Sequence, residues 1–379
     1  MRRLLPLLCG LLLAACGQRA ARPIGDFTLP VYTPRYASGF EITGAAGSRS
    51  TLVTVHNPWY GDEVTDQYLF IARDGEPAPA GFEGQVLRDE ARRVVCMSGS
   101  YIAMLDALGA ADRVVGVSGA QYLINETLRR RIARGEAADV GFDSNVDFER
   151  LMALRPDLVM LFGIGGADTA LTGKLRELGI PYLYMGEHCE ESPLGKSEWV
   201  VVAAEIAGLR TEGSRLFAAI PERYERLRAL AQQTAARPRV MFNTPYRDTW
   251  FMPARNSYMV RLLEDAGARY VFEENTATQT LPIDIEQAYY LTSKSDFWLN
   301  VSGCNTLDEV RRQNPRLADT PPVREGRVYD NNRRRNAAGG SDFWESGVLR
   351  PDRVLADLVH IFHPELSETD ELYYYRQLE

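Results

Sequence analysis

A short amphipathic helix that runs into a buried strand occurs twice in the sequence, once in each half. The first copy, VDFERLMALRPDLVML, covers residues 146–161, and the second, IDIEQAYYLTSKSDFWLNV, covers residues 283–301. In each copy a glutamate, Glu149 or Glu286, stands five residues before a leucine, and an aspartate then precedes an apolar run of strand length. A repeat of this kind predicts two lobes of similar fold.

Strand and helix patterns alternate in both halves of the chain. The first half has an apolar strand at residues 93–97 followed by a helix at 101–108. The second half has a similar strand at residues 239–242 and a helix at 258–266. Because alternating strands and helices form parallel sheets covered on both faces, we predict an α/β fold with two Rossmann-like lobes.

The remaining segments set the boundaries of these lobes. We expect one long connecting helix within residues 192–238, which would make a stiff link. Pro221 predicts a kink or a helix start inside it. The predicted organisation is a signal peptide at 1–15, a lipidated tether at 16–39, a small β appendage at 40–92, the N-lobe at 93–191, connecting helices at 192–238, the C-lobe at 239–364 and a tail at 365–379.

The N-terminus has the pattern of an exported protein. Arg2 and Arg3 precede an apolar run at residues 4–15, as in a secretory signal peptide, and this run is too short to cross a bilayer comfortably. The ending Leu-Ala-Ala-Cys resembles a bacterial lipobox, which implies cleavage before Cys16 and a lipid on its sulfur. We therefore predict a protein in the periplasm or at the cell surface, anchored to the membrane by its N-terminal lipid. The alternative is an ordinary signal peptide that happens to contain a cysteine.

Composition and motif content argue against several classes of protein. A net charge of -8 and a pI near 5.3 leave no basic footprint for nucleic acid. The cysteines Cys96, Cys189 and Cys304 lack the spacing of a zinc ribbon or a disulfide framework. His188, in the stretch Glu-His-Cys-Glu, is the one histidine placed in a candidate ligand cluster, and we predict no metal site. The sequence has no nucleophile elbow, P-loop, HExxH motif or dinucleotide fingerprint, so we predict that the chain is not an enzyme.

Three segments of the sequence together resemble one family. They are FERLMALRPDLVM at residues 148–160, SPLGKSEW at 192–199 and IEQAYYLTSKSDFWL at 285–299. With the lipoprotein signal, they are similar to the helical-backbone class (class III) of ABC-transporter substrate-binding proteins. That class handles ferric siderophores, haem and cobalamin. The resemblance covers residues 93–364, and the β appendage and the tail lie outside it.

The resemblance implies a role and a set of partners. The chain would capture an iron(III) complex of the siderophore type or a related metal macrocycle, without a covalent cofactor, and deliver it to an ABC permease dimer with its ATPase. A corrinoid such as cobalamin is the alternative cargo. In this family one exposed glutamate on each lobe docks onto permease arginines, and the matching residues here are Glu149 and Glu286. The alternative is that both are carboxylates favoured by a helix dipole, without a partner.

Strand-end loops are the predicted ligand contacts, because ligands of open α/β sheets bind beyond the carboxyl ends of the strands. The candidates are Ser98, Ser100, Tyr101, Tyr122, Gly165 and His188 in the N-lobe, and Tyr246, Arg247, Trp250, Arg333, Arg334 and Trp344 in the C-lobe. The arginine run at residues 333–335 suits carboxylate or phosphate groups of a ligand, and Trp344 suits a flat macrocycle. The alternatives for this stretch are a solvated loop and aromatic core packing.

A function of another class is also compatible with the sequence. A surface structural or adhesion lipoprotein would use the β appendage and the aromatic tail as its contact surface. Binding of a metal complex by the purified protein would distinguish the importer role from this alternative.

Overall fold

The computed structural model describes residues 21–379 apart from 62–63, 164–165, 167–168, 247–248, 302 and 368–369. The predicted signal peptide and Cys16 therefore lie outside the described residues, as do Gly165 and Arg247. Within the described part of the chain, no helix has the length and apolar character needed to cross a membrane.

A five-stranded sheet forms the N-terminal part of the molecule. Its strands, in spatial order, are β1 (Leu29–Tyr32), β2 (Phe40–Gly44), β3 (Thr51–His56), β4 (Asp66–Ala72) and β5 (Gln85–Arg88). All neighbours are antiparallel except β4 and β5, which are parallel. The sheet thus begins at Leu29, inside the segment predicted to be a tether, because β1 pairs with β2 along their length. We call it the N-terminal sheet.

The N-lobe contains a second five-stranded sheet, which is parallel throughout. Its elements along the chain are β6 (Val94–Cys96), α1 (Gly99–Ala107), β7 (Val114–Val117), α2 (Glu126–Ala133), β8 (Ala138–Asp139), α3 (Phe148–Leu154), β9 (Leu158–Phe162), α4 (Ala170–Leu178) and β10 (Tyr182–Met185). The spatial order is β10-β9-β6-β7-β8. Side chains of β6, β7 and β9 are buried, as expected for a sheet covered on both faces.

Three helices follow and join the lobes: α5 (Pro193–Glu198), α6 (Val200–Ile206) and α7 (Arg210–Ala231). The helix start predicted at Pro221 is wrong, because α7 begins at Arg210 and continues past the proline. Phe217, Ile220 and Tyr224 on α7 are buried in the main apolar core. Tertiary packing of this face offsets the cost of a proline inside the helix.

The C-lobe repeats the α/β scheme and adds a small two-stranded sheet. Its elements are β11 (Arg239–Phe242), β12 (Trp250–Met252), α8 (Tyr258–Asp265), β13 (Arg269–Tyr270), β14 (Leu281–Ile283), α9 (Ile285–Ser293), β15 (Phe297–Leu299), α10 (Leu307–Gln313), α11 (Pro321–Arg324), β16 (Val328–Asp330), α12 (Ser346–Leu349), α13 (Pro351–Phe362) and β17 (Arg376–Gln377). The main sheet has the order β13-β11-β15-β16-β17, and β12 pairs with β14. The two-lobe α/β prediction is confirmed.

The segment predicted as a separate tail completes the C-lobe sheet. Strand β17 pairs antiparallel with β16. Just before it, the buried carboxylate of Asp357 accepts hydrogen bonds from the backbone N–H groups of Tyr373, Tyr374 and Tyr375 at 2.7, 2.6 and 2.9 Å. Tyr374 and Tyr375 are buried, so the aromatic tail is part of the core and offers little surface for adhesion.

The sequence repeat has the same structural role in both lobes. Asp147 and Asp284 cap the N-termini of α3 and α9, each through a hydrogen bond from the third residue beyond it. Asp157 accepts the backbone N–H that precedes β6 at 2.8 Å, and Asp296 accepts the one that opens β11 at 2.7 Å. Each repeat therefore ties a helix–strand unit to the first strand of its own lobe.

Candidate functional site

A cavity of about 760 Å³ lies between the two lobes and the N-terminal sheet. Three regions line it: the loop at residues 57–61 between β3 and β4, residues 189–191 after β10, and C-lobe segments that include 253–254, 256–259 and 278–280. Ligand cavities for small molecules range from about 300 to 1,000 Å³, so this cleft is large enough for a metal chelate.

The C-lobe wall of the cleft is built at the ends of its strands. Asn243 follows β11 and Asn300 follows β15, and both have left-handed backbones with φ of 67° and 59°. Asparagine tolerates this conformation better than most residues. The Asn243 amide donates to the Phe251 carbonyl at 2.8 Å, and the Asn300 side-chain oxygen accepts from the Tyr375 hydroxyl at 3.1 Å. The amides therefore stand at the cleft in fixed positions.

Trp344 is the predicted ligand residue that lines the cleft. Its side chain is 52% exposed, and its ring packs edge-to-face on the buried ring of Phe343 with centroids 4.8 Å apart. The C-lobe also supplies Phe251, beside the predicted contact Trp250, and Tyr258, which sequence reasoning missed. A role for Trp344 in ligand contact stays a prediction.

Three other residues predicted to contact the ligand are buried in the protein, so these predictions are wrong. Ser100 lies inside the N-lobe, where its hydroxyl donates to Glu187 at 3.1 Å. Tyr101 is fully buried, and its hydroxyl donates to the Leu161 carbonyl at 3.3 Å. Trp250 is also buried, with its indole N–H donated to a β11 carbonyl. None of them presents a surface to a ligand in the cleft.

Ser98 and His188 belong to the N-lobe strand ends but do not line the cleft. Ser98 caps α1. His188 is packed between the rings of Phe162 and Tyr60, with centroids 4.4 and 5.9 Å away. Burial lowers the pKa of His188 to about 4, so it is neutral at pH 7. Among the described residues, histidines, cysteines and carboxylates do not gather into a metal-binding group.

The loop at residues 57–61 covers the ends of two N-lobe strands. It passes over the residues that follow β9 and β10, and it brings Trp59 and Tyr60 to the cleft. The rule that ligands bind beyond the strand ends therefore holds for the C-lobe and fails for β9 and β10 of the N-lobe. The aromatic pair that follows the β3 pattern, after Pro58, was the one sequence signal that could have indicated this wall.

The arginine run of the C-lobe has ion-pair partners within the C-lobe. Arg334 pairs with Asp342 at 2.6 Å and lies over the Tyr373 ring at 4.6 Å. Arg333 pairs with Glu371 at 2.9 Å. Neither residue is among those that line the cleft, and ligand contact by these two guanidinium groups stays a prediction. The positive charges that the sequence suggested for ligand binding are paired with carboxylates of the C-lobe.

The same stretch connects the two lobes directly. The Asn336 amide donates to the carbonyls of Gln121 and Leu123 at 2.9 and 3.1 Å. The Glu345 carboxylate accepts the backbone N–H groups of Ile124 and Asn125 at 2.9 and 2.6 Å. Burial raises the pKa of Glu345 to about 7.

Two further candidates lie outside the lining of the cleft. Tyr122 belongs to this bridge between the lobes, and it is partly exposed. Tyr246 is exposed on the C-lobe and does not line the cleft. Ligand contact by either residue stays a prediction.

A buried acid and a buried base lie beneath the cleft. Burial raises the pKa of Glu187 to about 7, and one of its carboxylate oxygens has no hydrogen-bond partner among the described residues. Burial also lowers the pKa of Lys196, whose ammonium lies 4.2 Å from the centroid of the Tyr258 ring. Tyr258 lines the cleft, so the Lys196 ammonium lies directly behind a residue of the cleft lining.

The two predicted docking glutamates occupy matching positions on the lobes. Glu149 is exposed in the first turn of α3, and Glu286 is exposed in the first turn of α9. Glu286 has Arg316 as an exposed neighbour at 3.4 Å. Their role in docking stays a prediction.

The chain belongs to the periplasmic binding protein family, whose sequence model matches residues 94–333. A substrate-binding role follows from this membership, and an enzymatic role does not. An uncharacterized lipoprotein of Methanocaldococcus jannaschii is 25% identical over 332 residues, which cover 82% of this chain and 77% of that protein.

Solved structures share the fold at low sequence identity. A periplasmic haem-binding protein from Pseudomonas aeruginosa has a TM-score of 0.58 at 20% identity, covering 76% of this chain and 98% of its own. An Fe³⁺-hydroxamate transport protein from Saccharomonospora viridis has a TM-score of 0.54 at 17% identity, covering 72% and 94%. The vitamin B12-binding protein of Vibrio cholerae has a TM-score of 0.52 at 14% identity, covering 72% and 96%.

Proposed function

We propose that this chain is the substrate-binding lipoprotein of an ABC importer, and that it captures an iron(III) complex of the siderophore type or a related metal macrocycle. The observation that carries the proposal is the cavity of about 760 Å³ between the two lobes of a periplasmic binding protein. Its size supports a whole chelate as cargo, because a free metal ion needs only a few converging ligands.

The lining of the cleft supports a chelate with polar and apolar faces. Asn57, Asn243, Asn256 and Gln279 offer amide donors and acceptors, which suit the oxygen-rich periphery of a hydroxamate complex. Glu191 is an exposed carboxylate in the lining, so it disfavours cargo with a large negative charge. A ferric hydroxamate fits this chemistry better than a ferric catecholate, which is strongly anionic.

A corrinoid is the second candidate cargo. Cobalamin combines a flat macrocycle with amide side groups, and the cleft combines amides with Trp59, Phe251 and Trp344. The likeness in fold to a vitamin B12-binding protein also supports this alternative.

Delivery to the permease would use Glu149 and Glu286. A dimeric permease presents the same surface twice, and two lobes of similar fold place one exposed carboxylate on each. Exposed ion pairs add little affinity each, but they orient the encounter. We also propose a lipid on Cys16 as the anchor at the membrane, which the lipoprotein relatives support.

The test is calorimetric titration of the full chain, purified in mild detergent, with four separate compounds. These are a ferric trihydroxamate, a ferric catecholate, haemin and cyanocobalamin. We expect sub-micromolar affinity for one of them, about -8 kcal/mol or stronger. The absence of heat with all four would contradict the proposal and favour a structural or adhesion role.

A further inference from the structure

We propose that the loop at residues 57–61 of the N-terminal sheet is the N-lobe wall of the ligand cleft, and that Trp59 and Tyr60 hold a flat apolar face of the cargo. This inference rests on the proposed function. It assigns a binding role to a sheet that lies outside the segment matched by the family, which begins at residue 94.

The loop replaces the N-lobe strand ends as a cleft surface. A Cβ on Gly163, just after β9, would lie 2.6 Å from the Pro58 carbonyl oxygen. A Cβ on Gly186, just after β10, would lie 3.4 Å from the Pro58 Cα. Glycine at Gly163 is therefore what lets the loop approach the strand end so closely. A ligand in the cleft meets the loop where it would otherwise meet the N-lobe strand ends.

Both aromatic side chains of the loop are held in place. The Tyr60 hydroxyl donates to the His188 carbonyl at 2.7 Å, although 62% of the tyrosine is exposed. The Trp59 ring packs edge-to-face on Tyr184, with centroids 5.3 Å apart. An exposed aromatic side chain that is fixed at one end loses little conformational freedom when a ligand binds against it.

The sheet that carries the loop is anchored to the connecting region by three buried carboxylates. Glu190 accepts from the backbone N–H groups of Ser38 and Gly39, at 3.1 and 2.9 Å on one oxygen. Glu198 accepts from the N–H groups of residues 35–37 at 2.7 to 2.8 Å. Glu205 pairs with Arg73 at 2.8 Å and accepts the Thr51 hydroxyl at 2.6 Å. The N-terminal sheet is thus a fixed part of the binding domain.

The opposite side of the cleft carries Phe251 and Trp344, so aromatic rings face the cavity from both sides. This arrangement favours cargo with at least one flat apolar face, such as a macrocycle or an aromatic ring system. Amides placed between the walls then serve the polar edge of the same ligand.

The experiment compares variants of the full chain by calorimetric titration with the four complexes named above. The Trp59→Ala/Tyr60→Ala double variant should bind the complex that wild type selects at least roughly tenfold more weakly. Trp59→Phe keeps an aromatic face and should lose less than about threefold. The matched control is Tyr68→Ala, an exposed aromatic on β4 of the same sheet outside the cleft lining, which should leave affinity unchanged.

Thermal unfolding separates lost contact from lost structure. If the double variant and Tyr68→Ala unfold near the wild-type temperature while only the double variant loses affinity, the wall is established. Wild-type affinity in the double variant would contradict the role of Trp59 and Tyr60 in binding, but it would not contradict the proposed function. If wild type binds none of the four, the proposed function fails. Binding of the apolar dye anilinonaphthalene sulfonate then tests the aromatic wall independently of the cargo. An aromatic wall requires that the wild type binds the dye and that the double variant does not.

Discussion

The two lobes share a frame but differ at the surface that faces the cleft. In both, an aspartate from the repeated segment holds the first strand, and another aspartate caps the helix that carries an exposed glutamate. In the C-lobe the strand ends open onto the cleft through Asn243 and Asn300. In the N-lobe the loop at residues 57–61 covers the ends of β9 and β10. The capped helix and the held first strand recur because both lobes have the same α/β fold, whereas the surface that lines the cleft is specific to each lobe.

The largest expected effect is on transport, through the part that the lobes share. Charge reversal at both docking positions, Glu149→Arg with Glu286→Arg, should abolish uptake of the cargo in cells while calorimetric affinity stays unchanged. The reason is that the proposed docking onto permease arginines would then place like charges at both contacts, and their repulsion would block productive docking. The control pair, Glu126→Arg with Glu274→Arg, reverses exposed charges elsewhere on the same lobes and should transport normally. Normal uptake in the docking variant would contradict a docking role for Glu149 and Glu286.

The next effect concerns how a connecting helix and the C-lobe each fix one terminal segment of the chain. Glu198 gathers three successive backbone N–H groups at residues 35–37, and Asp357 gathers three at 373–375. Replacing either by alanine leaves these donors without their acceptor, so each variant should lose about 2–5 kcal/mol of unfolding free energy in urea. A loss below about 1 kcal/mol at one of them would show that the two anchors are not equivalent.

A pH effect of intermediate size is expected at Glu345, which connects the C-lobe to the N-lobe. Burial raises the pKa of Glu345 from 4.5 to about 7, so the folded protein retains this proton where the unfolded chain has lost it. Stability from this group is full below pH 4.5 and is lost as pH rises through 7. Glu345→Gln cannot ionise, so its unfolding free energy relative to wild type should rise between these pH values, by up to about 1.4 kcal/mol per unit of pKa shift.

Urea unfolding of both proteins from pH 4 to pH 8 measures this difference. Glu187, whose pKa burial also raises to about 7, stays in both proteins and cancels in the comparison. A constant difference across the range would contradict the assignment of this proton to Glu345.

The smallest expected effect is at the arginine run. Arg333→Ala removes one ion pair with Glu371, so cargo affinity should change by less than about twofold, and stability by less than about 1 kcal/mol. A tenfold loss of affinity, about 1.4 kcal/mol, would place this guanidinium at the ligand and restore the expectation from sequence.

The two-lobe α/β architecture could be predicted because it depends on local sequence patterns. Helix caps, apolar strands and the repeated aspartates all lie within short stretches, so two lobes with a helical connection could be inferred. Trp250 illustrates what local pattern misses. Its place after a predicted strand suggested a ligand contact, but its ring stacks on Trp298 with centroids 5.7 Å apart inside the core.

The candidate site was less predictable because its walls come from distant parts of the chain. Residues 57–61 and 189–191 meet the C-lobe only in the folded protein. Trp344 was predicted because it is an aromatic residue in an unusual arginine-rich stretch, whereas Trp59 was not considered because the N-terminal sheet has no counterpart in the family pattern. Likewise, the partners of Arg334 include Tyr373, from a segment that was expected to be a separate tail.

Hydrogen–deuterium exchange of the full chain, with and without the complex that binds by calorimetry, tests the central claim most directly. A cleft wall formed by this loop predicts slower exchange on binding at residues 57–61 and 278–280, which both line the cleft, and no change at residues 98–101 after β6. Slower exchange at 98–101 with none at 57–61 would contradict it, because the cargo would then lie on the N-lobe strand ends and the N-terminal sheet would have no part in binding.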